Sequence, residues 1–268
     1  MSSYIALGYW DVAVAALFVL INAGLSVALN LGIHRRMLIA AVRMVAQLSL
    51  MGVVLIALFR VVSPVLTGLA ALGMALFAGR EIAARQERPL AGAWSYGLGT
   101  VCITTASMVV TVFALTVSLR PHPWYDPRYA IPLLGMILGA AMTGISLGIH
   151  GMTTGMTNRR AAVEAQLMLG ADRRTALGPV VRQALSGALM PIINSMSATG
   201  IVALPGMMTG QILGGVAPAD AVKYQLLIMF LIAGATGIGA VAAVIGCAYR
   251  LTDSRHRLRL DRLGPARK

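Results

Sequence analysis

Long apolar runs alternate with short polar breaks along most of the chain. A membrane-crossing helix needs about 20 mostly apolar residues to cover roughly 30 Å of hydrocarbon. Seven stretches reach that length: 11–32, 40–59, 62–79, 95–118, 131–149, 184–205 and 224–248. Asp11 and the aromatic residues Tyr4, Tyr9 and Trp10 stand where an interfacial anchor belongs. Only Arg60 to Pro64 separates the second and third spans, which reads as a tight hairpin. The pattern predicts an all-α polytopic membrane protein with seven transmembrane helices. Residues 1–249 form the membrane-spanning domain and 250–268 a basic tail.

Composition agrees with the pattern. Of 268 residues, 58% are hydrophobic and 12% charged, with a mean hydropathy of +0.79. Soluble domains carry about 25% charged residues, so this chain lacks the polar cover a water-soluble fold requires. Low hydrophobicity and high charge, the marks of disorder, are absent. Two cysteines make no disulfide framework. The segment Met1 to Trp10 has neither a basic start nor a small-residue cleavage site, so the first span is expected to be retained.

Where the net charge of +13 lies decides its meaning. Of the 22 basic residues, 18 fall on one side of the predicted spans: Arg35, Arg36 and Arg43; Arg80, Arg85 and Arg88; Arg159, Arg160, Arg173, Arg174 and Arg182; and seven in the tail. The other side holds Arg60, Arg120, Arg128 and Lys223. This is the asymmetry of membrane topology, with the basic side cytoplasmic, rather than the basic stripe of a nucleic-acid binder. The expected orientation is N-terminus outside and C-terminus cytoplasmic. An odd span count argues against an internal inverted repeat.

Within the spans, Gly135 and Gly139, and Gly144 and Gly148, are spaced four apart and invite close helix packing. Gly234, Gly237 and Gly239 form a similar run in the seventh span. Polar residues at membrane depth need partners; Gln47, Thr104, Thr105, Thr143, Asn194 and Ser197 are the main ones. Asn194 and Ser197 share a helix face, and with Gln47 they either line a translocation path or bond a neighbouring helix. The sixteen methionines are read as flexible filler. The four histidines are dispersed and the two cysteines lie in different spans, so no metal motif emerges and metal ligands stay unknown. Ser146 and His150 stand one turn apart without a third catalytic group, and no catalytic residue is expected. There is no GxxxxGK[ST] phosphate loop. If transport is active, another subunit must supply the energy.

The longest connection on the basic side runs over about 151–184. Val163, Leu167 and Met168 predict a short amphipathic helix, and Gly170 a stop. Asp172 is a plausible N-cap for a second helix through Leu177, which Pro179 ends or bends. Such a knob suits docking into a groove on a soluble partner. Further on, Pro205 and Gly206 predict a helix break, with Met207, Met208 and the apolar residues to Val216 forming a re-entrant outer gate or an interfacial turn.

Glu164-Ala165 followed by Gly170 matches the EAA-type coupling signature of ABC-transporter permeases. The wider pattern resembles the FetB (YbbM) family of permeases, associated with iron export. It comprises Arg43 with Gln47-Leu48, Ile131-Pro132 with Gly135-Met136-Ile137 and Gly139, Leu169-Gly170-Ala171, Leu204 to Gly210, Pro218, Ala221 and Lys223-Tyr224-Gln225. The resemblance implies a homodimer of permease chains, embedded in the lipid of a bacterial inner membrane and served by a separate ABC ATPase that binds ATP and Mg; this chain would bind no cofactor and no nucleic acid. It also implies that Glu164, Ala165, Leu169, Gly170 and Ala171 meet that ATPase, with Arg173 and Arg174 either pairing with its acids or marking topology. Ala140, Asn194 and Ser197 depart from the family pattern, where an asparagine, an aspartate and a lysine are common. The expected cargo is iron or another metal ion. The alternatives are a non-metal substrate such as a nucleotide-sugar, or a secondary carrier or channel needing no ATPase.

Overall fold

The computed structural model describes residues 8–253, 255 and 257–266. Tyr4, His256, Arg267 and Lys268, which entered the reading above, lie outside the described residues. Nine α-helices account for most of the rest: α1 (Tyr9–Ala28), α2 (His34–Arg60), α3 (Pro64–Ala84), α4 (Trp94–Phe113), α5 (Pro127–Asn158), α6 (Arg160–Met168), α7 (Arg173–Ala198), α8 (Gly206–Leu213) and α9 (Pro218–Arg250). Seven of them, all but α6 and α8, are long and apolar enough to cross a membrane, α4 being extended by a π-helical turn over Ala114–Leu119. The described residues contain only isolated β-bridges and no strand. The all-α, seven-span reading therefore holds.

Local chemistry explains where the helices start. Pro64, Pro127 and Pro218 open α3, α5 and α9, where the missing N–H costs nothing and the fixed φ suits the first turn. Asp126 and Asp172 cap α5 and α7, accepting from the backbone N–H of Arg128 and Thr175 at 2.9 Å each. The helix ends depart from the apolar limits because hydropathy marks where the lipid ends, whereas a helix continues while its ladder is satisfied. Thus α5 extends to Asn158, so 151–158 is helix rather than loop.

The larger correction concerns α7. The second helix of the connection and the sixth span are one element, passing through Pro179 and Pro191 without interruption. A proline inside a helix removes a hydrogen bond and costs about 3 kcal/mol in an exposed helix. Here Leu177, Val180, Ala184, Ala188 and Ile192 are buried along one face, and that packing holds the helix together. The span ends at Ala198, not at 205; Gly200, at φ +93°, turns the chain, its N–H donating to the Ala203 carbonyl at 2.9 Å. Pro205-Gly206 does not break a helix but starts one: the Thr209 N–H donates to the Pro205 carbonyl at 3.0 Å. The segment expected to be irregular is thus the short helix α8, about 12 Å long.

The chain divides into two units, residues 1–62 with 213–215, and residues 63–212 with 216–268. In the first, α1 and α2 form a hairpin turned by Asn30 and Gly32, both at positive φ, and the Ser26 hydroxyl accepts from the Ile33 N–H at 3.2 Å. Most of its apolar side chains are exposed.

The second unit is built around α5, which packs against α3, α4, α6, α7 and α9. The row Gly144, Gly148, Gly151 and Gly155 brings backbones together. A Cβ on Gly151 would lie 3.1 Å from the Ala184 Cα, and one on Gly155 2.8 Å from a Val180 methyl. Gly139 meets nothing within 4 Å, so the packing row starts lower than the first glycine pair suggested. At the arginine-rich end, Met152, Met156, Val163, Leu177, Val180, Val244 and Leu251 make one core cluster.

The described residues of 251–264, namely 251–253, 255 and 257–264, fold back over this cluster as a strap. The Ala91 N–H donates to the Arg262 carbonyl and the Gly264 N–H to the Pro89 carbonyl, both at 2.7 Å. Arg262 donates from its side chain to the Arg250 carbonyl at 2.9 Å. Leu90, only 2% exposed, is sealed beneath, with Leu258, Leu260 and Leu263 packed on the same cluster.

Candidate coupling tip and polar cleft

At the arginine-rich end of the second unit, α5 turns at Arg159 into α6, and α6 turns at Gly170 into α7. Val163 is buried and Leu167 packs on the core cluster, fixing one face of α6. The turn is a Schellman motif: the Gly170 N–H donates to the Leu167 carbonyl at 3.1 Å and the Ala171 N–H to the Gln166 carbonyl at 3.0 Å. The motif places its C′ residue in the left-handed region, and Gly170 has φ +88°. A glycine there follows from geometry.

Beside this turn, Met168 and Leu169 are 82% and 87% exposed. The expected apolar face of α6 is therefore narrower than Val163, Leu167 and Met168, because Met168 points away from the core. Glu164 accepts from Arg160 at 2.8 Å one turn earlier, an exposed pair that contributes little to stability. Ala165 is exposed and Ala171 half-buried. Glu164, Ala165, Leu169, Gly170 and Ala171 thus share one tip whose apolar point is left exposed among the described residues.

Arg173 and Arg174 follow the tip but differ. The Arg173 guanidinium lies 4.0 Å above the centre of the Tyr249 ring, with the Thr252 hydroxyl at 3.5 Å. That stacking ties the first turn of α7 to the last turn of α9. Arg174 is exposed.

A cleft of about 480 Å³ opens between α5 and α7 behind the tip. His150, Thr154 and Asn158 line it at i, i+4 and i+8 on α5, Gln183 faces them from α7, and Arg159 stands in the lining towards the α6 turn. Gly151, Gly155 and Ala184 form its floor. Its donors are an imidazole, a hydroxyl, amides and a guanidinium, with no carboxylate. No group of three or more His, Cys, Asp or Glu suited to a metal occurs among the described residues. The sequence reading missed this polar row because 151–158 was taken as loop; the four-residue spacing of His150, Thr154 and Asn158 was the available signal.

The remaining candidate positions lie elsewhere. Asn194 and Ser197 are exposed near the far end of α7, about 30 Å along the helix from Arg173. The Ser197 hydroxyl donates to the Ile193 carbonyl at 3.0 Å, and that of Thr143 to the Gly139 carbonyl at 3.2 Å. Their own helices thus satisfy these hydroxyls. Gln47 is exposed on α2 in the first unit. Pro205, Gly206, Met207 and Met208 form the start of α8, none of whose residues is buried.

Comparison with known proteins accords with this architecture. The model of an uncharacterised protein family, UPF0014, matches residues 9–252. The rice UPF0014 membrane protein STAR2 is 33% identical over 247 residues, 90% of this chain and 85% of that protein. Protein ALUMINUM SENSITIVE 3 of Arabidopsis thaliana is 32% identical over 235 residues, 88% and 84% of the two chains. The probable iron export permease protein FetB of Escherichia coli is 28% identical over 254 residues, 94% and 95% of the two chains. No solved structure matches. With the family pattern covering the helices from α1 to the end of α9, this chain belongs to the UPF0014 family of multi-pass membrane proteins.

Proposed function

We propose that the chain is the permease subunit of an ATP-driven exporter, and that its cargo is iron or another metal cation. The observation that carries this reading is the tip formed by α6 and Gly170. Exposed Met168 and Leu169 stand at the point of a rigid turn, outside any helix long enough to cross the membrane. Two large apolar side chains held in water have a use if a partner's groove receives them. The EAA-type residues Glu164 and Ala165 lie on α6 just before the Gly170 turn, and the positive-inside rule would put the arginine-rich end that carries them in the cytoplasm. An ABC ATPase there would bind ATP and Mg, and closure of an ATPase pair would push on two copies of this chain. The chain itself contributes no catalytic residue to that scheme.

Metal cargo is supported by the printed names of the relatives: one is a probable iron export permease and another is named for aluminium sensitivity. The cleft around His150 offers imidazole, hydroxyl and amide-oxygen groups without a carboxylate, and the Arg159 guanidinium in its lining opposes tight holding of a cation. In the deciding experiment the chain is co-purified with the ABC ATPase encoded nearest to it, as wild type, Leu169→Asp and Gly170→Arg. ATP hydrolysis and iron efflux from proteoliposomes are then measured. A complex that forms in the wild type and is lost in both variants, with the permease still folded, supports the reading. If no ATPase binds, or both variants couple normally, a carrier or channel becomes the better account.

A further inference from the structure

A second opening lies on another side of the arginine-rich end, between the first turns of α7 and the last turns of α9. It encloses about 360 Å³, within the range of small-molecule sites. Arg173 and Arg174 line it at the level of the helix ends. Below them the lining turns apolar, with Leu177 and Val181 on α7 and Ile245 and Ala248 on α9. Among the described residues no acidic one lines the groove. Gly178 keeps the groove open, since a Cβ there would meet nothing within 4 Å.

We propose that this groove binds the headgroup and upper acyl chain of an anionic phospholipid. The chemistry changes along the groove as a phospholipid does: two guanidiniums at its helix-end mouth, then aliphatic walls along helices long and apolar enough to cross a membrane. Guanidinium groups match phosphate oxygens in a planar, bidentate way that an ammonium does not. The Tyr249 ring, 4.0 Å below the Arg173 guanidinium, holds one of the two in place before any ligand arrives, which lowers the ordering cost of binding. Basic pockets between transmembrane helices are the usual form of such sites. A soluble phosphate would leave the aliphatic walls unused. A protein partner would have to enter below the helix ends.

The site sits three residues after Gly170, so its occupant bears on the helix that carries the tip. Anionic lipid would brace the first turn of α7 against α9, and the lipid content of the membrane would tune how firmly the tip is held. The binding claim itself stands apart from the ATPase reading.

The test uses the purified full chain in detergent, as wild type, Arg174→Gln and Gly178→Leu. Gly178→Leu fills the groove while leaving both arginines, and the open space around Gly178 leaves room for the new side chain. Native mass spectrometry from an equimolar mixture of phosphatidylglycerol and phosphatidylcholine reads the lipid retained, and thermal unfolding with each lipid, or with inorganic phosphate, reads stabilisation. The wild type should retain phosphatidylglycerol with a preference of roughly tenfold, and that lipid should raise its Tm more than phosphatidylcholine does. Phosphate alone should leave Tm unchanged. Both variants should unfold at the wild-type temperature or above in phosphatidylcholine and lose the preference. Equal retention of the two lipids by the wild type overturns the proposal. So does a full preference in Gly178→Leu, which would reduce it to surface charge, or stabilisation by phosphate alone.

Discussion

Gly148 on α5 faces Val244 on α9 so closely that a Cβ on the glycine would fall 2.9 Å from a valine methyl and 3.4 Å from the Ala188 Cβ of α7. One position therefore meets two other helices at once. Overpacking of this kind costs typically about 1–3 kcal/mol, and here the displaced atoms belong to two long helices. Gly148→Leu is expected to lower Tm in detergent by many degrees and to reduce the yield of folded protein. Gly139→Ala, nine residues nearer the start of α5 with nothing within 4 Å, should be neutral in the same thermal scan.

At Gly170 the constraint is conformational rather than steric, because the site is open and φ is +88°. A left-handed residue other than glycine costs about 1–2 kcal/mol, with asparagine the best tolerated. The stimulation of a bound ATPase should therefore fall in the order Gly170, Gly170→Asn, Gly170→Ala. Equal stimulation by all three would show that the Schellman turn is not needed in that shape.

The strap gives a stability prediction independent of transport. Leu90 is covered by residues that arrive from the end of the chain, and truncating a buried leucine to alanine costs about 2–5 kcal/mol. Leu90→Ala and a chain ending at Arg257 should each lower Tm. Both should also make the peptide bond after Arg85, an exposed residue in the connection that leads into the strapped residues Pro89–Ala91, markedly more sensitive to trypsin. An unchanged digestion pattern would mean that the strap does not protect that turn.

Acid should loosen the internal turns of the strap, modestly and only at low pH, since the carboxylates concerned bond to arginines within the strap. Bidentate hydrogen bonds from Arg259 at 2.8 and 2.9 Å hold the Asp261 carboxyl down to about 2. Backbone and side-chain bonds from Arg257 also lower Asp253. Because the folded value lies below the ordinary one of 3.8, the contribution is present in full above that value and is lost as pH falls towards 2. Hydrogen exchange of the strap amides, corrected for the intrinsic rate, should be flat from pH 8 to 5 and rise below 4. A rise near pH 6 would point to a different group.

The seven spans were legible because a bilayer demands length and apolarity that little else in a sequence mimics. Their limits were not. The stretch 131–149 is the part of α5 with uninterrupted hydropathy, but the helix runs from Pro127 to Asn158. Thr154 and Asn158 read as loop polarity when, with His150, they are one face of a helix. Pro179 looked like a stop because local propensity says so, and buried contacts from Ala176 to Ile192 overrule it. The Asp172 cap and the Gly170 turn were readable, since each is set by its own few residues. The strap was not, because it depends on Pro89 and Gly264 meeting across 175 positions of chain.

One dimension of α5 has a mechanical consequence. Its 32 residues make a rod of about 48 Å at 1.5 Å per residue, against roughly 30 Å of hydrocarbon. The excess falls largely on the α6 side, since the apolar stretch stops near residue 149. From Gly139 to Asn158 the rod contains no proline, and Pro132, its one internal proline, lies in the second turn. The five glycines in that length would be its soft points, and four of them, Gly144, Gly148, Gly151 and Gly155, are braced by side chains or backbone of α7 and α9. A displacement at the α6 end would then be carried by α5 together with the helices packed on its glycine row rather than being absorbed by local bending.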